Sequence, residues 1–154
     1  MPDPGLASAN KAIIQYLMEE IDRGNFAVID ECYDRQYVDR NPSAVRSLAP
    51  GIEGVKKAFA IFASAFPDTR HVIQDLVAEG DKVVARIWAR GTHTGELMGI
   101  PPTGQVVEMT NIAIYRLAHG KIVERWAEQG LGVLEQLRLT PTDRDSTTSE
   151  YPET

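Results

Sequence analysis

Apolar residues recur at helical spacing near the start of the chain. Ile13, Ile14, Leu17, Met18 and Ile21 share a face, with Lys11, Glu19, Glu20 and Asp22 among the other positions. That spacing predicts an amphipathic helix beginning at Ser8. Arg23-Gly24-Asn25 closes it, because glycine suits the left-handed residue that follows a helix. A short second helix is expected over 27–32. Tyr37-Val38-Asp39-Arg40-Asn41-Pro42 then reads as an extended segment ended by a turn. Pro50-Gly51 opens a third helix with an apolar stripe of Val55, Phe59, Phe62, Ala63 and Phe66, and Phe66-Pro67-Asp68 ends it.

From there the period changes from about 3.6 to 2. Runs over 71–78, 82–93, 106–117 and 121–128 predict four strands. Glu79-Gly80-Asp81 and His119-Gly120 supply the tight turns, and 95–104 forms a loop shaped by Pro101, Pro102 and Gly104. A closing helix or turn is expected over 131–137. Helices first and an antiparallel meander second make an α+β fold, with helices packed on one face of a curved sheet.

Composition narrows the class. The chain has 154 residues, the size of one domain. With Cys32 as its one cysteine, neither an internal disulfide nor a four-cysteine zinc site can form. Three scattered histidines without ligand spacing give no metal site. Sixteen basic against twenty-two acidic residues, a formal charge of −6, argue against a general nucleic-acid binder. Half of that charge lies in 140–154, where Asp143, Asp145, Glu150 and Glu153 face Arg144 alone. The expected organisation is therefore a folded domain over 1–139 and a polar, acidic, disordered tail over 140–154. MPDPGLASANK has neither a basic nor an apolar leader segment, and no apolar run reaches membrane-spanning length. The expectation is a cytoplasmic protein that contacts neither membrane nor nucleic acid.

A family resemblance emerges from motifs taken in order. They are Ala65-Phe66-Pro67-Asp68, Glu79-Gly80-Asp81-Lys82-Val83, Gly91-Thr92-His93-Thr94-Gly95, Met98-Gly99-Ile100-Pro101-Pro102-Thr103-Gly104, Tyr115-Arg116, Gly120-Lys121-Ile122-Val123-Glu124, Trp126 and Gln136-Leu137. This set resembles the SnoaL-like polyketide cyclases, or ester cyclases, over roughly 7–137. The resemblance implies the cone fold shared with ketosteroid isomerase and nuclear transport factor 2: a curved antiparallel sheet with N-terminal helices on its concave face. It also implies a homodimer, a bulky small-molecule substrate of secondary metabolism and no cofactor. The implied chemistry is an intramolecular aldol closure, in which a base removes a proton alpha to a carbonyl and the enolate attacks a second carbonyl.

The resemblance, counted back from Gln136-Leu137 without a gap, places the family's catalytic carboxylate at Gln129, or at Gly130 with a one-residue slip; neither is a Brønsted base, and the adjacent Glu128 points to the opposite face unless a bulge intervenes. Arg40 stands where many relatives have histidine, and arginine binds anions without shuttling protons. A polar residue expected on the third strand is matched by Asn111 or Ala113. If odd positions face inward there, Met109, Asn111, Ala113 and Tyr115 line the cone.

The candidate catalytic residues are thus Gln129 and Arg40, holding substrate oxygens, and His93, an acid–base group or else a pin for the 95–104 loop. Tyr37, Phe59, Met98, Met109, Asn111 and Tyr115 are the candidate substrate-binding residues. Three explanations of the altered site stand open. The protein binds without turnover, it draws a base from Asp34, Asp39, His93 or Glu108, or it performs a hydrolysis, dehydration or hydroxylation. His71 and His119 are expected to be exposed and non-catalytic, and Cys32 to be a buried structural thiol. Arg86, Trp88 and Arg90 share one strand face, read as an interface between copies of the chain.

Overall fold

The Asp3 side chain accepts a hydrogen bond from the backbone N–H of Gly5 at 2.8 Å, and Pro4 takes the first helical position. This cap starts α1 at Pro4–Asp22, four residues ahead of the predicted Ser8. Gly24, at φ 82°, closes the helix: its N–H donates to the Ile21 carbonyl and that of Asn25 to the Glu20 carbonyl. The computed structural model describes residues 3–130 and 132–138. The expectation for the 140–154 tail lies outside them.

After α2 (Val28–Cys32) the chain turns directly into β1 (Tyr33–Asp39). A 3-10 turn at Arg46–Leu48 precedes α3 (Gly51–Ala65). Four strands follow, β2 (Arg70–Glu79), β3 (Lys82–Thr92), β4 (Val106–Ala118) and β5 (Lys121–Gln129), and then α4 (Val133–Arg138). They form one curved, unclosed sheet in the order β1-β5-β4-β3-β2. The meander is antiparallel as predicted, but β1 joins its edge parallel to β5, with Tyr33 opposite Ile122 and Asp39 opposite Arg125. The helices deliver β1 at the end of the sheet where β5 begins, so both strands run the same way.

Strand alternation sorts the two faces. Val83, Ala85 and Ile87 of β3, Ala113, Tyr115 and Leu117 of β4, and Ile122 and Ala127 of β5 turn toward the helices. There they meet Ile14, Leu17, Ile21, Val28, Ile29 and Val55 in the main core. A smaller cluster of Ala65, Phe66, Leu97, Val107 and Val133 holds the 95–104 loop and α4 against the end of α3. Arg86, Trp88 and Arg90 do share the outer face. Arg86 and Arg90 are exposed there, Arg86 paired with Asp75 and Gln74, while Trp88 between them is buried.

Cys32 is buried, and burial pushes its thiol up to about 11. Its expected behaviour is slow reaction with a disulfide reagent at pH 8 in the native protein and rapid reaction in denaturant. Fast native labelling would contradict this placement.

Candidate functional site

Between the helices and the concave sheet face lies a cavity of two adjoining lobes, about 280 and 260 Å³. Phe62, His71, Ile87, Met109, Asn111 and Gln129 border both lobes. One lobe runs under the 95–104 loop and α4, where Leu97, Met98, Val133 and Leu134 line it. The other runs under α1 and α3, past Met18, Phe26, Phe59 and Phe66 to Tyr115, Arg46 and Arg125. The walls are mainly apolar with a few polar groups, the usual make-up of a small-molecule site.

Of the residues singled out from the sequence, Gln129, Asn111, Met109, Tyr115, Phe59 and Met98 line this cavity. Inward alternation of odd positions on β4 brings Met109, Asn111 and Tyr115 there, while Gln129 comes from β5, Phe59 from α3 and Met98 from the 95–104 loop. Asn111 lies directly opposite Gln129 across the β4–β5 ladder, so two amide side chains stand side by side on one face. The Asn111 Oδ1 is buried without a hydrogen-bond partner among the described residues. A buried amide oxygen left unpaired is costly unless a ligand or water completes it.

The remaining three candidates fall outside the cavity. Arg40 comes one position after β1 and points to the other side of the sheet from Asp39. Its Nε donates to Glu124 at 2.7 Å, and its side chain is half exposed. Arg116 also donates to Glu124, and the hydrogen bonds from Arg116 and Arg40 hold that carboxyl below its usual range. Tyr37 is buried on the far side of the 3-10 turn, its ring edge-on to Tyr33 and its hydroxyl donating to Asp39 at 3.2 Å. It borders a separate depression with Pro50 and Gly51. His93 leaves β3 and is fully buried. Its Nδ1 accepts from the Thr103 backbone N–H at 3.2 Å, and its ring lies 5.3 Å from that of Phe66. With backbone bonds to Gln105 and Gly104 it pins the two ends of the loop.

Asp39, one of the alternative bases, is committed elsewhere. Its Oδ2 accepts from Arg125 at 3.2 Å and lies 3.5 Å from Arg46. This cluster of one carboxylate and two guanidiniums sits beside Tyr33 and Tyr115, with Arg46 over the Phe59 ring, and bounds the lobe under α1 and α3.

The structure brings in one residue that the sequence reading set aside. His71, expected to be an exposed strand start, lines both lobes. Its backbone N–H donates to Asp22 Oδ2 at 2.8 Å, and its ring Nδ1 lies 2.6 Å from Asp22 Oδ1. The Phe59 ring stands edge-on, 6.4 Å away. Among the described residues, no cluster of three or more His, Cys, Asp or Glu side chains could hold a metal ion. Nor is any described helix long and apolar enough to cross a membrane.

Known structures share this architecture. AclR of Streptomyces galilaeus, a candidate hydroxylase, is 26% identical with a TM-score of 0.71, over 83% of this chain and 93% of its own. TsrD of Streptomyces laurentii is 30% identical with a TM-score of 0.69, over 79% and 88%. IdmH of Streptomyces antibioticus, a candidate polyketide cyclase, is 32% identical with a TM-score of 0.66, over 78% and 91%. No functionally curated protein matches the chain in sequence. The family model for SnoaL-like polyketide cyclases matches residues 12–137, which takes in every strand and the whole cavity wall, and the chain belongs to that family.

Proposed function

We propose that the protein is a cofactor-independent enzyme of secondary metabolism that encloses a bulky, mostly apolar carbonyl compound of polyketide type. Its reaction is an aldol-type cyclisation or a related step beginning with proton removal next to a carbonyl. The observation that carries this reading is the Asn111–Gln129 amide pair on the wall of a mainly apolar cavity. Two amides cannot abstract a proton, but their N–H groups can hold a substrate carbonyl and strengthen that hold as it becomes an enolate. Gln129 stands in for the carboxylate that the family resemblance implies at this position, so it binds and polarises. Membership in the family, together with neighbours described as a candidate cyclase and a candidate hydroxylase, supports the reaction class. The expected working form is a homodimer.

The test is binding and turnover of an anthraquinone methyl ester carrying a keto side chain, followed by fluorescence and mass-resolved chromatography. The wild type is expected to bind and convert it. Gln129→Leu, which keeps the size and removes the hydrogen bonds, should weaken binding about tenfold, the worth of one good hydrogen bond. Binding that Gln129→Leu leaves unchanged would remove Gln129 from the site. Tight binding without turnover would make the protein a carrier on an enzyme scaffold.

A further inference from the structure

The cavity presents a pair of amides but no free carboxylate at the position the family resemblance implies, so the base must come from another wall. Asp22 is the last residue of α1, whose last turn holds no basic residue. A carboxylate there opposes the helix dipole. What it gains is a two-point grip on His71 across 49 residues of sequence: backbone N–H to Oδ2 and ring Nδ1 to Oδ1. An ionised carboxylate only accepts hydrogen bonds, so the ring proton sits on Nδ1. With that proton on Nδ1, the nitrogen left to carry a lone pair is Nε2, on a ring that lines both lobes. His93 is wired the other way. Its Nδ1 accepts from Thr103, and its Nε2 is buried.

We propose that His71 is the general base of this cavity and that Asp22 is its positioning residue. The proposal rests on the carbonyl-substrate reading above and adds the group that moves the proton. Nε2 takes the proton alpha to the substrate carbonyl, and the electron pair of that C–H bond becomes the enolate. The enolate oxygen is held by amide N–H groups of Asn111 and Gln129. The imidazolium keeps its Nδ1–H on Asp22, whose charge stabilises it without accepting the proton. When the enolate carbon bonds to a second carbonyl carbon, the alkoxide formed takes the proton back from Nε2, and the histidine returns to its starting state. No oxidant, reductant or metal enters this balance.

The experiment uses the full chain with 2-acetonylanthraquinone as probe. It measures the probe's affinity by fluorescence and the loss of its alpha protons to D2O by proton NMR. His71→Gln keeps a donor toward Asp22 but cannot exchange protons. Asp22→Asn offers its amide N–H to Nδ1 and so moves the ring proton onto Nε2. Both variants are expected to bind the probe within about threefold of wild type and to lose at least about a hundredfold in exchange rate, the scale of general-base catalysis.

Nitrogen-15 NMR of the unliganded protein should show the proton on Nδ1 in wild type and on Nε2 in Asp22→Asn. Exchange in His71→Gln within threefold of wild type, with binding intact, would overturn the proposal and leave the carbonyl-site reading standing. So would a wild-type ring protonated on Nε2. A wild type that fails to bind the probe would overturn both.

Discussion

Asp39→Asn is expected to lower the stability of the protein by about 3–5 kcal/mol, the cost of removing one partner from a buried ion pair. The Asp39 carboxylate faces Arg125 at 3.2 Å and Arg46 at 3.5 Å, and the Arg125 side chain is 2% exposed. Asparagine has the same shape and can still accept one hydrogen bond. What it removes is the charge, leaving two largely buried guanidiniums to repel each other without a counter-ion between them. A second variant isolates the cause. Arg46→Met in the Asp39→Asn background should restore part of the loss, because one fewer cation is left uncompensated. Urea titration with an unchanged slope reads both effects. A loss below about 1 kcal/mol for Asp39→Asn would mean that the carboxylate is not the group holding these cations in place.

The second large effect concerns the loop over the cavity. A Cβ added to Gly95 would lie 2.1 Å from the Ser64 carbonyl oxygen and 3.2 Å from the Ala65 Cα, both backbone atoms that cannot swing away. The loop hangs from this point: the N–H groups of Thr94 and Gly95 both donate to the Ala65 carbonyl at 3.1 Å. Gly95→Ala must push the loop off the end of α3. About 1–3 kcal/mol of overpacking strain is expected, with weaker probe binding because Leu97 and Met98 form part of the wall. Gly104→Ala is the contrast. Its Cβ meets nothing within 4 Å, but its φ is 71°, so its cost is the roughly 1 kcal/mol penalty of a left-handed residue and the cavity should be unaffected. Equal effects of the two variants on probe binding would contradict the role given to the Gly95 contact.

Much of this protein follows from local pattern. The spacing of Ile13, Ile14, Leu17, Met18 and Ile21 places α1. The alternation after Phe66 places the antiparallel meander, and odd positions on β4 turn inward as read, carrying Met109, Asn111 and Tyr115 to the cavity. Periodicity works here because one face of each element must leave water, and that constraint is written every two or every three to four residues. The family motifs, which fall largely in turns and strand ends, carried the fold assignment for the same local reason.

Three features were decided only by tertiary structure. The parallel entry of β1 depends on where two helices deliver the chain, and no residue in Tyr33–Asp39 records it. The sides taken by Asp39 and Arg40 follow from that pairing, which turned Arg40 out to Glu124 and brought Asp39 in against Arg125. The third is the His71–Asp22 pair. Alone, His71 is a polar residue at a strand start and Asp22 an acid at a helix end, and each is unremarkable beside its neighbours. Their meaning lies in a hydrogen bond across 49 positions, and hydrogen-bond geometry between distant elements leaves no period in a sequence.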